Sequence, residues 1–425
     1  MAGWNSGGYD PLMRVHLTNL GCKLNQAEIE RLGRQLEAAG HRVVGSLAEA
    51  DLHVVNSCTV THVAARESRK AAGRARRSGR PVRTVLTGCY ASGSPEEAAR
   101  LAGVDLVVPN AEKDRLVELV HAAFPEEGLG VPCAPQMGST RALVKVEDGC
   151  NMRCSFCIIP FTRGAQRSRP AAEVVAEVRE LVGRGHREIV ITGVQISAWR
   201  SEGGRLGDLV RAILDETEVP RLRLTSIAPW DLDERLLDLW QDRRLCRHLH
   251  LSLQSGATAT LRRMRRPYTA EGYLELLGRV RAAVPGVAVT TDVIVGFPGE
   301  TEAEFAESLA TVEAAGFAKI HVFPYSPRPG TAAGGFPDQI PPEEKKERME
   351  RMLATADRAE RAFRAAHLGT RQTVLWERPK DGLGHGLTDN YLRVLCPEGA
   401  GLWNRFSEVE VVGLAEDGVL GRLVA

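Results

Sequence analysis

The chain has 425 residues, 43% of them hydrophobic, with 55 Lys and Arg against 54 Asp and Glu, a net charge of +1. That length predicts about two to four domains, since single cores stop growing near about 250–300 residues, and the near-neutral balance leaves any nucleic-acid binding to local patches. There is no apolar run of membrane-spanning length, and Met1 to Asp10 lacks the basic start and apolar stretch of a signal peptide, so we expect a cytoplasmic protein with no membrane partner, whose nine cysteines act as ligands rather than disulfides.

From Arg14 to about Phe124, short apolar runs at 15–17, 51–55, 82–87 and 105–108 alternate with helical stretches. This predicts a small parallel α/β domain over residues 12–125. Three cysteines each follow a predicted strand: Cys22 in Leu20-Gly21-Cys22-Lys23-Leu24-Asn25, Cys58 in Asn56-Ser57-Cys58-Thr59, and Cys89 in Thr87-Gly88-Cys89-Tyr90. The carboxyl ends of parallel strands share one edge, where ligands bind, so the three should converge. Their spacing alone leaves metal ligation and three buried cysteines equally open. In the helix after Cys58, the residues Arg66, Arg69, Lys70, Arg74 and Arg77 fall at helical spacing on one face. That stripe fits phosphate binding and a solvated basic face equally well.

Residues 126–140, with Gly128, Gly130, Pro132, Pro135 and Gly138, read as a linker. A βα rhythm follows over 141–369, with strands near 142–146, 188–192, 221–225, 248–253, 287–295 and 318–322. Six units are too few for a closed eight-fold barrel, so a partial (βα)6 barrel with its site at the strands' C-terminal ends is predicted. An amphipathic helix over 342–367, with Met349, Met352, Leu353, Ala356 and Phe363 on one side, ends it. From residue 370 to 425, strand-like runs at Val374-Leu375-Trp376, Tyr391 to Leu395 and Val409 to Val412 alternate among glycines and read as a small β-barrel.

The most informative feature is Cys150-Asn151-Met152-Arg153-Cys154-Ser155-Phe156-Cys157, directly after the first barrel strand. Thiolates favour zinc or iron-sulfur clusters. A structural zinc site closes with four ligands, and only three stand here, the nearest other cysteine upstream being Cys133. Three thiolates on a 4Fe-4S cluster leave one iron open to a cofactor. This C-x3-C-x-aromatic-C run is similar to the signature of radical S-adenosylmethionine enzymes, with Phe156 as the aromatic residue. Gly193, in Thr192-Gly193-Val194-Gln195, stands where such enzymes carry a glycine-rich segment facing the methionine amine; the usual acidic residue is absent from the run. Ser226, Gln254, Asp292 and Gly296 lie at or near later strand ends. Each could face the cofactor or simply meet its own backbone at a turn. Ala228 occupies a position where glutamate is common in such enzymes. Arg262, Arg263, Arg265 and Arg266 make a second basic cluster, open to the same two readings as the first. Cys133, Cys246 and Cys396 read as structural, and His248 and His250 as packing or hydrogen-bonding groups.

The three N-terminal segments, the triplet, the run Arg163-Gly164-x-x-Arg167-Ser168-Arg169-Pro170 and the C-terminal barrel together resemble the radical S-adenosylmethionine methylthiotransferases over nearly the whole chain. The resemblance implies a second 4Fe-4S cluster on Cys22, Cys58 and Cys89, a C-terminal TRAM domain and S-adenosylmethionine as cofactor. It also implies an electron donor, a sulfur source and the tRNA anticodon stem-loop as partners. The segments around Cys22, Cys58, His250 and Tyr325, with Lys23 after the first cysteine, look most like the branch that modifies N6-threonylcarbamoyladenosine. The other branches act on isopentenyladenosine in tRNA or on a ribosomal protein aspartate.

Overall fold

The computed structural model describes residues 12–77, 79, 81–125 and 139–424. Most of the predicted linker, and with it Cys133, lies outside them. The chain divides into two compact units, and the first gathers Ile158–Ala165 to the N-terminal residues although Cys157 and Gln166 belong to the second.

In the first unit a parallel five-stranded sheet runs in the order Arg42–Val44, Arg14–Asn19, Leu52–Ser57, Arg83–Gly88, Leu106–Val108. The middle strand is buried along its whole length, as a strand covered on both faces must be. The edge strand Arg42–Val44 was not expected; its three residues carry too little pattern to read. Helix Lys23–Ala38 buries Leu24, Ile29, Leu32 and Leu36 along one face. Helix His62–Ala72 begins on Thr61, whose hydroxyl accepts from the Ala64 amide, and stops at Gly73. It is shorter than the basic stripe requires: Arg74 lies beyond it and Arg77 falls in a separate 3-10 turn, Ala75–Arg77. The single helical face therefore holds only Arg66, Arg69 and Lys70.

The second unit contains six parallel strands in chain order. Arg141–Lys145, Glu188–Thr192 and Leu222–Leu224 form one sheet, and His248–His250, Ala288–Val295 and Lys319–Pro324 the other. Parallel bridges Leu222 to Leu245 and Ile227 to Leu251 connect them into an open arc. The predicted strands are all present, within a few residues of their expected bounds. Helix Pro342–Ala365 turns Met352 and Ala356 into the core, whereas Leu353, expected on that side, is 40% exposed. Residues four apart share a helical face and a residue one further on is rotated by about 100°. No helix of the described residues is long and apolar enough to cross a membrane.

Strands Arg371–Trp376, Gly384–Thr388, Arg393–Cys396, Gly418–Leu423 and Phe406–Ala415 close into a small barrel around Val374, Trp376, Val394, Val409 and Val411. Cys396 is buried in that core, and Cys246 is buried elsewhere in the second unit. The small barrel is fastened to the strand starts of the arc. Arg221 Nη1 donates to the Leu387 carbonyl at 2.9 Å and Arg223 Nη1 to that of Asp389 at 2.9 Å. Tyr391 stacks on His248 with 4.7 Å between ring centroids and lies under the Arg223 guanidinium. Glu188, wholly buried, accepts from Arg223 Nε at 2.7 Å and lies 3.5 Å from Arg221 Nη1. Burial works against its charge, but Arg223, Arg221 and Arg141 outweigh that and hold it down at about 2.

Removing one partner of such a buried set leaves uncompensated charge. Glu188→Ala should lower stability by about 3–5 kcal/mol, read as a fall in urea midpoint, and adding Arg223→Met should restore part of it. His41 and His53 are buried in the first unit. Burial lowers each to about 4, with His121 adding to the effect at His41, and His16 and Arg74 at His53. Both fold neutral, while the unfolded chain protonates them below about 6.5. Their contribution is complete above about pH 6.5 and is lost as pH falls toward 4. Urea midpoints should accordingly drop between about pH 7 and pH 5, and replacing both histidines with Asn should flatten that dependence.

Candidate active site

In the first unit Cys58 and Cys89 are buried and Cys22 is exposed, all at the carboxyl edge of the sheet. Gly21, at φ +104°, lets the Cys22 turn close onto Cys58: a Cβ there would lie 2.9 Å from Cys58 Sγ. Burial pushes the Cys58 thiol up to about 11; Cys89 and Cys22 push the same way, and the Arg163 guanidinium opposes them.

Two amides tie this edge to Ile158–Ala165. Asn25 Oδ1 accepts from Arg163 Nη2 at 2.6 Å and lies 3.8 Å from Cys22 Sγ. Asn110 Nδ2 donates to the Thr162 carbonyl at 2.8 Å and lies 3.8 Å from Cys89 Sγ. Glu28, buried, accepts from Lys113 Nζ at 2.6 Å and from Arg163 Nη1 at 2.9 Å. Asn25 stood in the Cys22 run, but nothing in the sequence pattern marked Asn110 as a neighbour of Cys89 or Lys113 as the partner of Glu28.

In the second unit Cys150, Cys154 and Cys157 are partly buried in the loop beyond the first strand of the arc. Cys150 Sγ accepts from the Met152 amide at 3.4 Å, and burial raises its thiol. Cys154 Sγ accepts from Arg266 Nη1 at 3.5 Å. That guanidinium lies 4.7 Å from the Trp230 ring centroid and 5.6 Å from that of Tyr268, two stacked rings. The second basic cluster is thus not one surface: Arg266 is held at the triplet, Arg263 Nη1 pairs with Glu304 Oε1 at 2.9 Å, and Arg262 and Arg265 are exposed. Only a cysteine's position in space could have separated Arg266 from its exposed neighbours.

Phe156 lies against the buried group of Met264, Phe297 and Tyr325, meeting Phe297 edge-on. Gly193 has no room for a side chain, since a Cβ would come within 2.9 Å of the Glu147 carbonyl and carboxylate. That carboxylate accepts from the Gln195 amide at 2.9 Å. An acid thus does stand beside the glycine segment, contributed by the preceding strand end. Ser226 (φ 51°) and Gln254 (φ 67°) are non-glycine residues in the left-handed region at strand ends, a conformation concentrated at functional sites. Asp292 is partly buried; burial opposes its charge, but hydrogen bonds from His250 and Ser252 and the nearby His321 hold it below the usual carboxylate range. His250 Nε2 is 3.2 Å from Asp292 Oδ2. Gly296 donates its amide to Glu300 Oε2 at 2.8 Å. Ala228 is buried, and its amide donates to Ser197 Oγ. Side chains of Arg66, Arg69 and Lys70 are 60, 41 and 57% exposed; Arg74 is also exposed.

Among the described residues no group of three His, Cys, Asp or Glu closes to the spacing of a single ion. A cubane spreads its thiolates over separate irons, so sets of three thiols with N–H donors beside Cys89, Cys150 and Cys154 fit a cluster better than a lone cation. An open six-stranded arc with three thiols beyond its first strand is the architecture of an enzyme that uses S-adenosylmethionine radically, and residues 144–312 match the Radical SAM superfamily. Residues 14–109 match an uncharacterized protein family, UPF0004. The Bacillus subtilis threonylcarbamoyladenosine tRNA methylthiotransferase MtaB is 34% identical over 90% of both chains. A Cereibacter sphaeroides tRNA-2-methylthio-N(6)-dimethylallyladenosine synthase is 35% identical over 96% of this chain and 98% of its own. The chain belongs to the radical S-adenosylmethionine tRNA methylthiotransferases. That family implies S-adenosylmethionine and a 4Fe-4S cluster. A solved radical methyltransferase, TsrM from Kitasatospora setae, shares the fold alone, at TM-score 0.58 and 18% identity over 75% of this chain and 76% of its own.

Outer groups around a metal site typically matter by roughly 10–100-fold. Arg266→Leu should lower S-adenosylmethionine cleavage by about that factor and weaken the ultraviolet-visible cluster signature of the reconstituted protein, whereas Arg265→Leu should leave both unchanged.

Proposed function

We propose that the chain places a methylthio group on carbon 2 of N6-threonylcarbamoyladenosine, immediately 3′ of the tRNA anticodon, with two 4Fe-4S clusters. Cys150, Cys154 and Cys157 would hold one and Cys22, Cys58 and Cys89 the other. The convergence of that second thiol set carries the reading, because a radical enzyme that only cleaved S-adenosylmethionine would have no use for it. Carbon 2 of adenine bears no acidic proton for a general base to remove, so the reaction needs radical activation and a carried sulfur. When bound, the clusters supply reductive cleavage of S-adenosylmethionine at one site and a hold on sulfur at the other.

The chain's own residues bind and orient. Arg266 supports Cys154 with a partly buried positive charge and an N–H donor. The Gly193 segment offers backbone with Glu147 behind it. Ser226, Gln254, Asp292 and Gly296 present polar groups at the strand ends to the cofactor, and Asp292, kept ionised, suits an acceptor for hydroxyl donors. Phe156 packs beneath the triplet loop. Arg66, Arg69, Lys70, Arg74 and Arg77 would bind phosphates of the anticodon stem-loop. The target base must leave its stack, at roughly a few kcal/mol, less in a loop than in a duplex. An electron donor and a sulfur source complete the partners.

Lys23 and the MtaB relatives favour the threonylcarbamoyl substrate. Equal identity to dimethylallyladenosine synthases supports that base as the second reading. Replacing Cys150, Cys154 and Cys157 with Ala should abolish 5′-deoxyadenosine formation. Replacing Cys22, Cys58 and Cys89 should spare it and abolish methylthiolation. Mass spectrometry of tRNA nucleosides from a deletion strain should show loss of the methylthio form of N6-threonylcarbamoyladenosine; loss of the dimethylallyl form instead would select the second reading. One cluster per reconstituted chain, by iron and sulfide titration, would overturn the two-cluster reading.

A further inference from the structure

Phe161 is 62% exposed, among the most exposed large apolar side chains of the molecule. It makes no ring contact with another described aromatic, yet its backbone is tightly held. Thr162 and Arg163, the next two residues, are buried. The Thr162 carbonyl accepts from Asn110, and Arg163 is clamped by Asn25 and Glu28. A lone exposed apolar side chain is ordinary, but Val60 and Val63 of the same unit are also 46 and 60% exposed, and apolar groups exposed together mark an interaction surface.

Its surroundings say what it would recognise. The same two amides that hold Thr162 and Arg163 also reach Cys89 and Cys22, each at 3.8 Å, so Phe161 stands beside the three-thiol edge. The methyls of Thr162 and Thr59 both flank Gly93, which brings the Phe161 segment close to Val60, itself 46% exposed, just beyond Cys58. Helix His62–Ala72 then adds Arg66, Arg69 and Lys70, all substantially exposed. Glu67 is shared between Arg66 and Lys70, so the pair keeps net positive charge. Arg69 also pairs with Glu97 at 3.9 Å, which leaves this helix face one net positive charge; an exposed ring on the same unit as a positive face suits single-stranded nucleic acid, whose bases stack on aromatic faces while phosphates meet cations.

We infer that Phe161 is a stacking platform for an unstacked base of the tRNA anticodon loop, holding it beside Cys22, Cys58 and Cys89. This rests on the tRNA reading above. A held backbone and a side chain with only two rotatable bonds keep the ordering cost on binding small, so most of the stacking energy would appear in affinity.

The test uses the full, anaerobically reconstituted chain and an anticodon stem-loop carrying N6-threonylcarbamoyladenosine, with 2-aminopurine at the adjacent loop position. Phe161→Ala should weaken binding roughly 5- to 150-fold, the equivalent of about 1–3 kcal/mol per stacked base, with the slope of log Kd against log salt unchanged. Phe161→Trp should retain affinity. Arg66→Glu with Lys70→Glu should instead flatten the salt slope. The 2-aminopurine fluorescence should be quenched by the wild-type chain and far less by Phe161→Ala. Binding by Phe161→Ala within about twofold of wild type, or equal loss in Phe161→Ala and Phe161→Trp, would refute the platform. If the wild-type chain neither binds nor modifies the stem-loop, the tRNA reading fails first; if it does both and Phe161→Ala matches it, only this inference fails.

Discussion

Both thiol sets owe their positions to one constraint: parallel strands finish on a common edge. Backbone pairing fixes the register of Leu52–Ser57 against Arg83–Gly88 from Leu52 opposite Arg83 to Ser57 opposite Gly88, so Cys58 and Cys89 leave adjacent strands at the same height. Cys22 reaches them through a turn that only glycine allows at that distance. The triplet likewise leaves the first strand of the arc, where later strands contribute Ser226, Gln254 and Asp292. Residues tens of positions apart are thereby brought to one edge, without strain at most of them.

Two sets of buried charges hold other elements to these sheets. Glu28 meets Lys113 and Arg163, and Glu188 meets Arg221 and Arg223, all nearly excluded from water. Desolvation makes such groups costly, and their mutual attraction with further hydrogen bonds offsets that cost only in good geometry. Their value lies in fixing position. The Glu28 set holds Ile158–Ala165 to the first unit, and the Glu188 set fixes the small barrel against the strand starts of the arc, where Arg221 and Arg223 also satisfy four of its carbonyls.

The strands of both sheets were legible because apolar runs of strand length bounded by glycine or polar residues leave few other readings. Arg42–Val44 was missed for want of length, and the C-terminal barrel yielded only three of its five strands, Gly384–Thr388 and Gly418–Leu423 being glycine-interrupted. The basic stripe illustrates the limit at a site: helical spacing runs on past Ala72, but Gly73 ends the helix and separates Arg74 and Arg77 from the others. Arg266 shows the converse, a residue that sequence grouped with a surface cluster and folding placed on the Cys154 thiol.

The sequence by itself determined the fold class and the family, since C-x3-C-x-aromatic-C and the strand rhythm are local patterns read within a few residues. Tertiary structure decided which polar groups serve those cysteines. Asn25, Asn110, Arg163, Glu147 and Arg266 come from separate segments, and no local periodicity records which of them will meet. That pairing follows from long-range packing, in which a buried donor or charge must find its partner wherever the fold provides one.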